Sequence, residues 1–145
     1  MKQIIFHLAP SLAICFFSFL PVCFSQVTGW HNVTTLPEAN AEISLNEMNG
    51  NLYVIGGENY QPNWHTVDNV WIYNIEADSL SSGAPMPAPR SLPSGTLVNG
   101  KIYAIGGHIK PRETATKIVE AYDIGTNSWD TCASIPTSRV WHTAC

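Results

Sequence analysis

Two stretches of this chain collect side chains able to recognise or transform a ligand, and each begins directly after a pair of glycines. The first runs from Glu58 to Asn69 and carries Glu58, Tyr60, Trp64 and His65. The second runs from His108 to Thr116 and carries His108 and Arg112. The aromatic faces at 60 and 64 can stack on a sugar or grip a peptide, because a rigid ring buries a large area with few torsions to freeze. His108 with Arg112 offers charge-assisted hydrogen bonds to a carboxylate. A histidine near its ordinary pKa can also move a proton, although a place in a loop does not by itself make a general base. The plainer reading is that exposed loops of any domain hold such residues. No histidine–cysteine cluster has metal-ligand spacing, and His142 three residues before Cys145 stands alone, so no metal and no other cofactor is expected.

The elements that position these stretches repeat. Asn49-Gly50-Asn51-Leu52-Tyr53-Val54-Ile55-Gly56-Gly57 returns fifty residues later as Asn99-Gly100-Lys101-Ile102-Tyr103-Ala104-Ile105-Gly106-Gly107. Leu36-Pro37, Met86-Pro87 and Ile135-Pro136 fall in the same register, as do Tyr73 with Tyr122, Arg90 with Arg139, and Trp30 and Leu80 with Trp129. Self-similarity at this period marks an array of small structural units. Within each unit the spacing predicts four strands. A first strand (43–45, better formed at 92–98) leads through an Asn-Gly type I′ turn to an apolar second strand (52–55, 102–105). Third strands follow at 70–73 and 118–122, and fourth strands at 79–82 and 129–131. Prolines at 87, 89, 93 and 136 disfavour helix.

This ladder resembles the kelch-repeat family. It rests on the double glycine that closes a hydrophobic strand (Gly56-Gly57, Gly106-Gly107), the tyrosine of the next strand (Tyr73, Tyr122) and the tryptophan after it (Trp129, with Leu80 in the earlier unit). Met86-Pro87-Ala88-Pro89-Arg90 and Ile135-Pro136-Thr137-Ser138-Arg139 complete the pattern. The resemblance spans Trp30 to the end and implies an all-β fold. That fold is a partial β-propeller with two complete four-stranded antiparallel blades, from repeats at about 41–84 and 91–134, plus parts of the flanking blades. Two readings of Arg90 and Arg139 stay open. The guanidinium ties down carbonyls or a carboxylate between blades, or it contacts a ligand in the channel; recurrence at both repeats favours the structural duty. Closed propellers have four to eight blades, so residues 26–145 are expected to be an incomplete propeller, a fragment whose exposed blade faces can associate.

Residues 1–25 read differently. Met1 and Lys2 precede an almost wholly apolar run to Phe24, and Cys23 and Ser25 put small residues at minus three and minus one before Gln26. That is the layout of a cleaved secretory signal, which predicts a secreted or periplasmic chain with no membrane attachment after cleavage. An uncleaved membrane anchor remains an alternative, as does a lipid-modified Cys23. The whole chain carries a formal charge of −4, and loss of Lys2 with the leader makes it more acidic. Without a basic cluster, nucleic acid and anionic membrane surfaces are poor partners. Cys132 and Cys145 stay behind in a compartment that permits disulfides, and their pairing is one open possibility.

The expected function is an extracytoplasmic module that binds protein or glycan, without catalysis. The alternative is part of a kelch-propeller enzyme acting on carbohydrate, similar to sialic acid mutarotases or galactose oxidase-like copper enzymes. Arg112, Glu58 and His108 are only crude counterparts of a mutarotase site, and no copper-ligand motif carries over onto this sequence.

Overall fold

The computed structural model describes residues 32–109 and 114–144. The leader, Trp30, residues 110–113 (Arg112 among them) and Cys145 lie outside the described residues. Two four-stranded antiparallel sheets stand side by side as blades of a partial β-propeller. In the first, β1 (Ser44–Met48), β2 (Asn51–Ile55), β5 (Val70–Asn74) and β6 (Ser79–Ser82) are adjacent in that order. In the second, the order is β7 (Ser94–Val98), β8 (Lys101–Ile105), β9 (Val119–Asp123) and β10 (Ser128–Thr131). A two-stranded ribbon, β3 (Glu58–Asn59) with β4 (His65–Thr66), stands apart from both sheets. No helix occurs among the described residues.

The turns have the geometry their residues favour. Asn49 and Gly50 have φ of 52° and 74°, and Asn99 and Gly100 have 50° and 77°. Both central residues of a type I′ hairpin need positive φ, and Asn-Gly supplies it with little strain. The third-to-fourth-strand turns use a second device. Asp78 and Asn127 also have positive φ, and each accepts a hydrogen bond from the repeated tyrosine, Tyr73 Oη at 2.8 Å and Tyr122 Oη at 2.6 Å. The tyrosine thereby fastens the turn that follows its own strand.

The core lies between the blades. Ile55, Val70 and Met86 from the first unit meet Ile102, Ala104 and Tyr122 from the second, all of them buried. Tyr122 packs against Tyr53 on one side and Trp129 on the other, with ring centroids 6.2 and 5.3 Å away. Trp129 is half-buried and donates its indole N–H to the Ala84 carbonyl of the preceding unit at 2.9 Å. Asn127 accepts from the Ala84 N–H at 2.7 Å, so one turn of the second blade grips the chain leaving the first.

The double glycines mark where the connection between units presses on a strand end. Gly57 N donates to Arg90 O and Gly107 N to Arg139 O, each at 2.9 Å. A Cβ on Gly56 would stand 2.6 Å from Arg90 O, and one on Gly106 would stand 2.6 Å from Arg139 O. With φ of 63° and 61° as well, both positions exclude a side chain on two grounds.

Candidate functional site

The stretch after Gly57 is not an open loop. The Glu58 N–H and C=O exchange hydrogen bonds with Ala41 at 2.8 and 2.9 Å, which seats the residue against the segment leading into β1. Glu58 then pairs with Thr66, and Asn59 with His65, in the β3–β4 ribbon. Asn59 Oδ1 accepts from the Gln61 N–H at 2.8 Å, and Asn63 O lies 2.7 Å from His65 Nδ1, so both arms of the tip are tied locally. The ribbon holds Tyr60 and Trp64 edge-to-face, centroids 5.1 Å apart and planes at 63°. They are 58 % and 47 % exposed, a large apolar area to leave in water. Below them a cleft of about 300 Å³ opens between the ribbon and residues 39–41, with Asn40, Glu58, Tyr60 and Trp64 on its wall.

The six residues singled out from sequence therefore have unlike settings. Tyr60, Trp64 and His65 are displayed at the ribbon tip. Glu58 is 1 % exposed, and its backbone is paired on both edges. His108 takes the same role in the second unit: its backbone bridges Ser91 and Ala115, and it is buried. Arg112 lies outside the described residues. The two stretches do adjoin, since Thr66 Oγ1 donates to Ile109 O at 3.3 Å.

Arg90 sits deep between the blades. Its side chain is fully buried, donating to Ala88 O and Ala104 O at 2.9 Å and to Glu120 Oε2 at 2.5 Å. Burial pulls the guanidinium pKa down, opposed by Glu120, and arginine stays charged at any physiological pH. Arg139 is exposed, and its backbone alone repeats the Arg90 contacts. Cys132 is half-buried, and its candidate disulfide partner Cys145 lies outside the described residues.

Sequence reasoning passed over two positions here. Asn40 stands fifty residues before Arg90, and Trp71 stands in β5 where β9 has Glu120. The ion pair of the second unit is thus replaced by an amide and an indole in the first. Both Asn40 amide atoms and Trp71 Nε1 are buried without a hydrogen-bond partner among the described residues. The departure from the repeat was the available signal, and at Asn40 it falls on the wall of the Tyr60–Trp64 cleft.

The description of a kelch motif matches residues 41–87 and 89–136, one match per blade. The chain belongs to the kelch-repeat family. Among similar kelch proteins, Kelch-like protein 23 of Homo sapiens is 32 % identical over 131 residues, which covers 83 % of this chain and 23 % of that protein. Kelch-like protein 41a of Danio rerio is 31 % identical over 110 residues, covering 76 % of this chain and 18 % of the relative. Kelch repeat and BTB domain-containing protein 12 of Danio rerio is 25 % identical over 119 residues, covering 76 % and 19 %. The chain spans about a fifth of the length of these relatives.

Proposed function

We propose that this kelch unit is a non-catalytic binding module outside the cytoplasm, taking a protein or glycan ligand at the Tyr60–Trp64 ribbon. The observation that carries this reading is the edge-to-face aromatic pair, exposed above a cleft and held by a ribbon whose own hydrogen bonds fix its shape. Rigid, partly exposed aromatics are the residues that most often dominate a binding surface. Kelch propellers serve as binding scaffolds, and the matched relatives carry the repeat within longer chains. The extracytoplasmic placement is supported by the apolar run and small-residue cleavage pattern of residues 1–25.

Replacing Trp64 by alanine should weaken ligand binding by roughly 1–3 kcal/mol, or about fivefold to 150-fold in Kd. Because the side chain is half exposed, urea unfolding should shift by less than about 0.5 kcal/mol. The measurement is titration of wild type and variant against a defined panel of oligosaccharides and extended peptides, with urea melts alongside. Unchanged affinity for every panel member that wild type binds would remove the ribbon as the site. Sugar turnover by wild type, lost in a folded His108→Ala variant, would replace the binding module with an enzyme.

A further inference from the structure

We propose that Asn32 is the acceptor of an N-linked oligosaccharide. Asn32-Val33-Thr34 is the only Asn-x-Ser/Thr triplet in the chain with x other than proline. The triplet matters chemically because the hydroxyl two residues on helps to place and polarise the amide during transfer. The turn asparagines do not qualify: Asn49 and Asn99 are followed two residues on by Asn51 and Lys101, which have no hydroxyl.

The structure gives the triplet what a transferase requires. Asn32, Val33 and Thr34 are all exposed, and no strand runs through residues 32–40. Val33 is 60 % exposed even though it is apolar, so the segment does not fold back on the blades at this point. Backbone pairing begins only at Ala41, through its bridge to Glu58. A glycan on Asn32 therefore projects from a segment ahead of both sheets and displaces no packed side chain. Among the described residues, neither Asn32 nor Thr34 makes a side-chain hydrogen bond that transfer would have to break. Asn32 also stands seven residues past the cleavage point read after Ser25, so in export it crosses the membrane ahead of either blade.

The step needs a lipid-diphosphate-linked oligosaccharide as donor. Asn32 Nδ2 attacks the anomeric carbon, the N–C bond forms, the C–O bond to the diphosphate breaks, and the lipid diphosphate leaves. Nδ2 gives one proton to a base of the transferase, and nothing is oxidised or reduced. The inference rests on the export reading, since donor and transferase meet the chain on the side of the membrane to which it is exported.

The full chain should be expressed in cultured eukaryotic cells in two forms, one with its own residues 1–25 and one with a proven export leader before Gln26. The expected result for both is a single glycan, released by peptide N-glycosidase, absent from Asn32→Gln and Thr34→Ala, and retained by Thr34→Ser. An exported but unmodified chain behind the proven leader would overturn the acceptor assignment. A glycan that persists in Asn32→Gln would overturn it as well. If the proven leader gives the glycan while the chain with its own residues 1–25 stays unmodified in the cytosol, the acceptor chemistry stands. In that case the export reading is overturned, and modification of the native chain with it.

Discussion

Arg90→Ala should destabilise the two-blade unit by about 3–5 kcal/mol, the usual result of removing one partner from a buried ion pair. The substitution deletes hydrogen bonds to Ala88 O, Ala104 O and Glu120, and it leaves the Glu120 carboxylate 3 % exposed and without its guanidinium. The core cluster of Ile55, Met86, Ile102 and Tyr122 sits at the same inter-blade junction, so the cavity adds to the electrostatic loss. A drop in the urea midpoint with an unchanged slope is the signature. Two controls isolate the cause. Arg139→Ala removes the register-equivalent but exposed side chain and should shift stability by less than about 0.5 kcal/mol. The double change Arg90→Met with Glu120→Leu removes both charges while keeping volume, and it should recover most of the loss. A double variant no better than Arg90→Ala would mean that the backbone carbonyls, not the carboxylate, are what the guanidinium serves.

Gly57→Ala should be the most damaging single-methyl addition near the ribbon. Its φ of 114° lies beyond the left-handed region that alanine tolerates, and the new Cβ would stand 2.5 Å from Ala41 O. Strain of this kind costs about 1–3 kcal/mol per residue. The carbonyl it strikes is the acceptor that seats Glu58, so relief would push residues 39–41 away from β3 and open the cleft wall. The expected outcome is lower stability together with weaker ligand binding. Gly50→Ala is the comparison: φ is 74°, nothing lies within 4 Å, and the ribbon is remote. It should cost about 1 kcal/mol and leave binding intact. Thermal melts and ligand titration on the same preparations separate the two effects.

The strands were legible because their signals are periodic and locally punctuated. Asn-Gly, an apolar run and Gly-Gly bracket β2 and β8 so tightly that their ends are fixed within a residue or so. The fourth strand at Ser79–Ser82 was readable even though it has no tryptophan, because the register carried it. The β3–β4 ribbon was not legible, since two-residue strands have no period to detect. Nor were the positive φ values at Glu42, Leu92 and Trp141, which fall at one register position in successive units without a glycine to announce them. The Leu92 N–H reaches Glu42 O at 2.8 Å, so neighbouring units join there through backbone alone, and side-chain chemistry leaves no trace of it.

The site was legible by residue type and not by placement. Tyr60 and Trp64 are large aromatics in a polar stretch, which sequence can flag, but their contact depends on a ribbon that sequence does not show. The burial of Glu58 was not legible, because a carboxylate is ordinarily on the surface and here it is 1 % exposed. The buried partner of Arg90 was hidden because the repeat supplies Glu120 only once, with Trp71 in its place in the first blade.

Hydroxyl-radical footprinting of the ligand complex tests the central claim most directly, since it reports ring exposure residue by residue. With the best binder from the panel present, Tyr60 and Trp64 should become strongly protected. Trp129, half-buried and hydrogen-bonded to Ala84, should label at the same rate with and without ligand. Protection confined to the exposed edge of the second blade at Leu97 and Val98, with Tyr60 and Trp64 unchanged, would contradict the assignment of the ribbon as the binding surface.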